Sequence, residues 1–551
     1  MQLHLFKLDN QVSGNATLYF VLIMLVLILL SFYCETLRDG NMKNNIFRLP
    51  INKIQFGFSD GKNEARQPNF ESFFYDGSGY YQSLKSDSLK YLVIGRKGTG
   101  KTILVRYFEK EAQKDPEVRT KFIVAGDFTS EKLRSFDYAL VKEEEREVFW
   151  RYLILKELTT MVIENERGIL NRKWVSKLRN VDSKLSLSLD ELVQENSNEV
   201  NIKGTLGISN ASSVATNTGK SSKSTSTYSR SSYFDETDEL MMTLMDVMKR
   251  TKKRYYLFFD DLDEIKLTSI QKKDGENNII ILAKLLNDFV SALMYVNDKL
   301  LDTHNGSRVI STLRKDVADQ MQFFGSNVNK NITDNAINIT WFSPMLKTNP
   351  EKTSLGKLIL HKMRASSLEY KKLSDEKLFN LVFRSNGKRT ENPFRFIVNR
   401  GFGRPRDVIQ YLNLIKRTFP NEGFINYDMA KKVQSDYCSW FYNELQNEIS
   451  ILNRHKSIAR VIDAIKKNGK VVFSYKDIDT IIKDSPDEFI DIIDLKNELK
   501  SLFTLGAIGN YERKKGHKSP IIEYSYRDGA YNPDFSKNFL VHPALKVYLS
   551  L

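Results

Sequence analysis

Cysteine is nearly absent: the 551 residues hold two, Cys34 and Cys438, and no C-x-x-C. That excludes a disulfide framework and a cysteine zinc site, and it fits a reducing compartment. Histidine is scarce too, with six residues scattered singly, which argues against a histidine-rich metal centre. Acidic residues are in deficit, 68 against 83 lysines and arginines, for a net charge of +15. Such an excess suits an acidic partner, nucleic acid or anionic lipid, and speaks to association rather than to fold. Apolar material is not lacking. Hydrophobic residues at 41% and aromatics at 11% exclude a disordered scaffold, and the length calls for about two to four domains.

Only one apolar run is long. Leu18 to Phe32 is uncharged and almost wholly apolar, and with Thr17, Tyr33 and Cys34 it just reaches spanning length. A cleaved signal peptide fits less well, because Asp9 accompanies Lys7 and no clear small-x-small site follows. Arg38, Lys43, Arg48 and Lys53 follow the run, so a single inner-membrane anchor over 17–34 would leave the rest in the cytoplasm. A rival reading starts the protein at Met42, whose polar stretch MKNNIFRLPINK looks like an ordinary cytosolic beginning. The sequence leaves both readings open.

The chain is organised around KYLVIGRKGTGKT, Lys90 to Thr102. Tyr91-Leu92-Val93-Ile94 is a short apolar, β-branched run that predicts a buried strand. It leads directly into Gly95, Arg96, Lys97, Gly98, Thr99, Gly100, Lys101 and Thr102, an unbroken G-x-x-x-x-G-K-[ST]. Ile103, Leu104, Tyr107 and Phe108 follow at helical spacing. Strand, glycine loop and helix together define a phosphate site. Glycines let backbone N–H groups approach phosphates without a Cβ in the way, and the helix N-terminus adds partial positive charge. Lys101 is expected to bridge the β- and γ-phosphates, and the Thr102 hydroxyl to hold Mg²⁺.

A second landmark is Arg254 to Glu264, RYYLFFDDLDE. Its apolar and aromatic run predicts a central strand, ending in a cluster of carboxylates. Asp260 is expected to hold the metal, and Asp261 or Glu264 to orient or deprotonate the attacking water. A plain acidic turn is the weaker reading, since YYLFF precedes it in a chain that already carries a phosphate loop.

Other elements fall around these two. Lys121 to Ala125 predicts a strand with Asp127 at its end, and Tyr138 to Glu166 a long helix. The segment 196–233, rich in Ser, Thr, Asn and Gly, predicts an exposed hairpin or tolerated surface insertion. Helices are expected at 235–250 and 282–300. Ser307 to Thr312 predicts a strand followed by Arg314, so that Thr312 or Ser311 and the arginine either sense the γ-phosphate or are an unremarkable strand end. Helical patterns at 353–365 and 375–383 precede Gly401 to Asp407, GFGRPRD. Pro405 suits a first helical turn, which places Arg404 and Arg406 at a helix start, where an anionic partner would offset the unfavourable dipole.

Near the C-terminus, helices at 457–467, 475–483 and 489–505 lead to a hairpin from Gly506 whose tip, 513–518, is RKKGHK. Ile521 to Tyr526 returns. Three helices and then a hairpin is the winged-helix order, and the basic wing would suit DNA phosphates. Asp491, Asp494 and Glu498 on the third helix make a poor surface for a major groove.

With IGRKGTGKT, FFDDLDEI, RVISTLRKDV, GRPRD and the terminal VHPAL in hand, the chain resembles the STAND-type or origin-recognition-like (AAA-like) P-loop ATPases of prokaryotes. It is nearest a bacterial group that includes proteins from antiphage-defence settings. Asn63-Glu64-Ala65 also resembles that group's entry to the adenine pocket, and the resemblance spans about Phe56 to Leu551. It implies an α/β ASCE core with a parallel sheet over 42–345, a helical lid over 346–440 and a winged helix over 441–551. It further implies ATP and Mg²⁺ as ligands, Arg404 or Arg406 as the lid arginine, nucleotide-controlled homo-oligomers and slow turnover. The Ser/Thr insertion and the membrane-like leader over 1–41 depart from the group's pattern. No LSGGQ is present, so an ABC dimer is not supported, and no nuclease or protease pattern appears, so an effector would be a separate protein. The leading expectation is an ATP-hydrolysing switch acting on nucleic acid or a protein partner, in phage defence or DNA maintenance. The alternatives are a membrane-tethered signalling protein and a non-catalytic, ATP-dependent DNA-binding module.

Overall fold

The computed structural model describes residues 47–124, 145–185, 222–262, 278–321, 332–385, 391–516 and 519–551, apart from 167, 169, 170, 451, 453, 515 and 529–531. Five apolar runs form a parallel sheet: β1 is Leu92–Gly95, β2 Val118–Val124, β3 Arg254–Asp260, β4 Arg308–Arg314 and β5 Ala336–Ile339. Their spatial order is β2-β3-β4-β1-β5. A parallel sheet is covered on both faces, so its central strands read as continuous apolar runs rather than alternating ones. β4 is buried along its whole length and β3 at every residue after Arg254.

The crossover helices supply the cover. They are α1 (Lys101–Ala112), α2 (Arg146–Asn165), α3 (Ser222–Met248) and α4 (Asn278–Leu301). Successive β3 side chains point to opposite faces. On one face Phe108 of α1 meets Tyr256 edge-on at 5.2 Å; on the other Phe289 of α4 meets Phe259 at 5.3 Å and Trp150 of α2 at the same distance. The mixed α/β core expected from the motifs is therefore present.

Several boundaries differ from those the sequence predicts. β4 continues two residues beyond Thr312, because its pairing with β1 runs on through Ile94–Leu313 and Gly95–Arg314. Thr312 thus lies within the strand and Arg314 closes it. The Ser/Thr-rich segment, expected as a hairpin or insertion over 196–233, is helical from Ser222 onward. Extending a helix costs far less than nucleating one, and the downstream part is anchored by fully buried Leu240, Leu244 and Met248. The leader over 17–34, Asp127, Glu264 and residues 196–221 lie outside the described residues. Among the described residues, no helix is long and apolar enough to cross a membrane.

Helices then dominate: α5 (Ser354–Arg364), α6 (Pro405–Thr418) and α7 (Gln434–Ile449). Three more follow, α8 (His455–Asn468), α9 (Tyr475–Asp484) and α10 (Leu495–Leu505). Beside them lies a second sheet, antiparallel, made of β6 (Val472–Phe473), β7 (Ile508–Glu512), β8 (Ile521–Glu523) and β9 (Asn538–Val541) in the order β6-β9-β7-β8. α10 starts six residues later than its pattern predicts, at Leu495, because the Asp494 carboxylate caps it by accepting from the Asn497 N–H. The returning strand stops at Glu523, and Ser525–Asp528 forms a short helix instead.

The three carboxylates read as an acidic surface on the third helix are matched by arginines. Glu498 is buried, accepts from the Ser457 hydroxyl at 2.5 Å and lies 3.4 Å from Arg454. Asp494 and Asp491 lie 3.9 and 3.5 Å from Arg454 and Arg460. Only Glu498 is internal; Asp491 and Asp494 precede the helix and stay exposed at its start.

His542 joins the C-terminal sheet to the preceding helices. Its ring stacks on Phe441 of α7 at 4.9 Å, its Nδ1 accepts from the Ala544 N–H, and its Nε2 lies 3.3 Å from the Gly401 carbonyl. Nε2 therefore carries the proton. Complete burial pushes the ring's pKa down to about 3. The unfolded chain binds a proton below about pH 6.5 that the folded one refuses, so this contribution is present above that pH and is lost as pH falls toward 3. By that linkage His542→Gln should lose about 2 kcal/mol less stability than wild type between pH 7 and pH 5 in chemical denaturation. Equal losses would show that the folded ring is not kept neutral.

Candidate functional site

Parallel pairing brings strand carboxyl ends to one edge of the sheet, where open α/β folds place ligands. β1, β4 and β3 are neighbours there, with Gly95 opposite Arg314 and Phe259 opposite Ser311. Thr312 donates its hydroxyl to Asp260 Oδ1 at 2.6 Å. Lys101, at the start of α1, donates to the Gly95 carbonyl at 3.1 Å. Asp260 is fully buried, and burial followed by the charge of Asp261 pushes its pKa up to about 6. The hydroxyls of Thr312 and Thr102 and the Lys101 ammonium pull the other way. Asp260 Oδ2 is buried without a hydrogen-bond partner. The glycine-loop lysine and the acidic strand tip, distant in sequence, are thus in electrostatic contact.

The loop between β1 and α1 needs its glycines. Gly98 and Gly100 have φ of +81° and +95°, conformations that L side chains rarely adopt. A Cβ on Gly98 would also stand 3.0 Å from that of Arg406. Above the loop opens a cavity of about 500 Å³. Lys97, Gly98, Thr99, Gly100, Lys101 and Thr102 line it, as do Asp261, Arg314 and Arg406. Aromatic residues share the lining: Phe58, Phe73, Phe74, Tyr75, Tyr80 and Trp341. Cations together with flat apolar rings in one cavity suit a phosphorylated aromatic ligand.

Not every expected residue faces this cavity. Gly95 and Asp260 lie beneath it. Arg96 turns toward the C-terminal helices, donating to the Thr504 carbonyl of α10 at 2.9 Å, with its guanidinium 5.8 Å from the Phe402 ring and 5.9 Å from that of Tyr526. Arg404 is buried in an ion network: it pairs with Asp407 at 3.0 Å and Glu448 at 3.1 Å, and donates to the Lys97 carbonyl at 2.9 Å. It therefore braces the loop from behind, whereas Arg406 reaches the cavity, donating to the Ser59 carbonyl at 3.2 Å and pairing with Glu444 at 3.0 Å. Arg314 is 6% exposed and its Nε donates to Asp316 at 3.0 Å. Glu264 lies outside the described residues.

The sequence reading missed five participants, Lys62, Trp341, Glu444, Glu448 and Lys362, and touched a sixth, Glu64, only through a resemblance. Lys62 lines the cavity and pairs with Asp261 at 2.8 Å. Trp341 donates its indole N–H to the Thr99 carbonyl at 2.8 Å. Glu444 and Glu448, four residues apart on α7, hold Arg406 and Arg404. Glu64 and Lys362, both nearly inaccessible, form a 2.5 Å ion pair in the cavity wall. The i, i+4 spacing of the α7 carboxylates is visible in the sequence, but their partners are not. For Glu64 the one signal was the resemblance of Asn63-Glu64-Ala65 to an adenine-pocket entry.

Among known families, one described as a FunZ-associated C-terminal helical domain matches residues 353–446. The match takes in α5, α6 and most of α7, including Lys362, Arg404, Arg406 and Glu444. No curated protein matches the chain.

The Glu64–Lys362 pair makes a stability prediction. Burial lowers the pKa of Lys362, with Glu64 opposing the shift. Removing one partner strands a buried charge, so Lys362→Met should cost about 3–5 kcal/mol. Adding Glu64→Gln should recover most of that loss in urea denaturation.

Proposed function

We propose that this chain is a P-loop ATPase of the ASCE kind, with a helical lid over its site and a C-terminal winged helix. In this reading it is a nucleotide-controlled switch acting on nucleic acid or a protein partner, in antiphage defence or DNA maintenance. The observation that carries it is the approach of Lys101 and Asp260 at the sheet edge, beneath a cavity lined by the glycine loop. The strand order, with β4 between β1 and β3, agrees with that class.

Magnesium fits the residues present. Asp260 keeps one buried oxygen, Oδ2, without a partner, its carboxylate also interacts with the Thr102 hydroxyl, and Mg²⁺ takes few protein oxygens when phosphates supply others. No group of three or more His, Cys, Asp or Glu side chains placed to hold a metal occurs among the described residues, so the ion would arrive with the nucleotide. Thr102 and Asp260 would hold it, and when bound it neutralises phosphate charge.

The residues of the chain do the rest. Lys101 exchanges the Gly95 carbonyl for β- and γ-phosphate oxygens, and loop N–H groups bind the same oxygens. Arg314 and Arg406 add positive charge from opposite sides. Asp261 accepts a hydrogen bond from a water and takes its proton as the water oxygen bonds to the γ-phosphorus. The bond to the β–γ bridging oxygen breaks, leaving ADP and inorganic phosphate.

Lys101→Ala should abolish phosphate release. Asp261→Asn should retain ATP binding but slow hydrolysis about 100-fold or more. A wild-type rate in Asp261→Asn would move the water-orienting role to Glu264, and a wild-type protein that binds no ATP would overturn the reading. Duplex DNA should stimulate turnover, and the stimulation should fade as salt rises. A DNA-independent rate would favour a protein partner.

A further inference from the structure

Asp261 is held from two sides. Its backbone is left-handed, with φ +57°, a conformation that costs a non-glycine residue about 1 kcal/mol or more. Its N–H points to the Thr312 hydroxyl at 3.4 Å. Its carboxylate is fixed by Lys62 at 2.8 Å through Oδ2. The neighbouring Asp260 carboxylate carries the same charge, so a cation at this point offsets the repulsion between them.

The lysine is itself placed by the lid. It lies on the short helix Gly61–Ala65, capped by Asp60, which accepts from the Asn63 N–H. Two residues on, Glu64 accepts from the Phe58 N–H at 2.8 Å and pairs with Lys362 of α5 at 2.5 Å. Lys362 and Glu64 are 2% and 3% exposed, so a lid movement that shifts α5 must break this pair or carry the short helix with it. That helix also rests on the first turn of α1: a Cβ on Gly61 would meet Ile103 at 3.3 Å and Thr102 at 3.7 Å. One short turn therefore touches the lid, the start of α1 and the hydrolytic carboxylate.

We propose that Lys62 is a positioning residue for Asp261, and that the Glu64–Lys362 pair makes lid position a condition of hydrolysis. Lys62 leaves Asp261 Oδ1 for the attacking water and fixes the direction in which it faces. The inference rests on the ATPase reading and on Asp261 as the water-orienting group.

The test measures kcat together with ATP affinity in EDTA, which reports binding without turnover. Lys62→Met should lower kcat about 10- to 100-fold, as expected for a misaimed group, while affinity shifts by no more than about threefold. Lys62→Arg should restore most of the rate. In an Asp261→Asn background, Lys62→Met should cause no further loss. The paired change Glu64→Gln with Lys362→Met, which strands no charge, should lower kcat in the same direction. Weakened affinity at unchanged kcat, or an undiminished Lys62 effect on the Asp261→Asn background, would make Lys62 a ligand-binding cation and overturn the proposal. A wild-type protein inert toward ATP, seen before any variant is made, would overturn the function reading and this inference together.

Discussion

The hydrogen bond from Thr312 to Asp260 ties the tip of β3 to the neighbouring β4, and the site depends on where that tip sits. β4 lies between β3 and β1, so the same strand that fixes the Asp260 carboxylate also sets the height of Gly95, from which the glycine loop departs. A slip of one residue in either pairing would turn Thr312 to the other face of the sheet. Deep burial at this junction keeps Asp260 costly to ionise, which is a stability burden in the absence of a cation. Such local conflicts with packing are where functional sites usually reveal themselves.

The helices α5 to α7 are joined to the core by charges that water does not reach. Arg404 with Asp407 and Glu448, and Lys362 with Glu64, are interior pairs whose attraction is set against a desolvation cost of similar size. Their worth lies less in net stability than in allowing one arrangement: Arg404 must find the Lys97 carbonyl, and Glu64 must meet Lys362, or each is stranded. Arg96 adds a third tether, from the loop itself to α10. The glycine loop is thus in contact with α6 and the C-terminal helices, and any ligand that reshapes the loop acts on both.

The parts legible in the sequence were those written in contiguous residues. The apolar run YYLFF, the glycine loop and the Pro405 helix start each carry their own local signal, and the core sheet follows from them. Less legible were features made by pairing across long distances. β4 extends through Arg314 because β1 continues beside it, and β9, although a turn signal precedes it, carries nothing local that says it will pair with β6 and β7. Charge was the least legible. Arg404 and Arg96 stand in motif positions that suggest a phosphate, yet carbonyls and carboxylates elsewhere in the chain claim them. Glu498 of α10 reads as surface, yet it is buried against Ser457 and Arg454. Lys62 carried no signal, since a lone lysine on a polar turn is what any solvated surface offers.

β2 and β3 lie side by side, paired from Val118–Arg254 to Val124–Asp260, although the chain departs after the first and returns only at the second. Because the entropy of closing such an excursion grows with the logarithm of its length, residues can be gained or shed there with little thermodynamic penalty to the sheet. That makes the excursion the place where relatives of this chain can diverge most in size while keeping the same pocket.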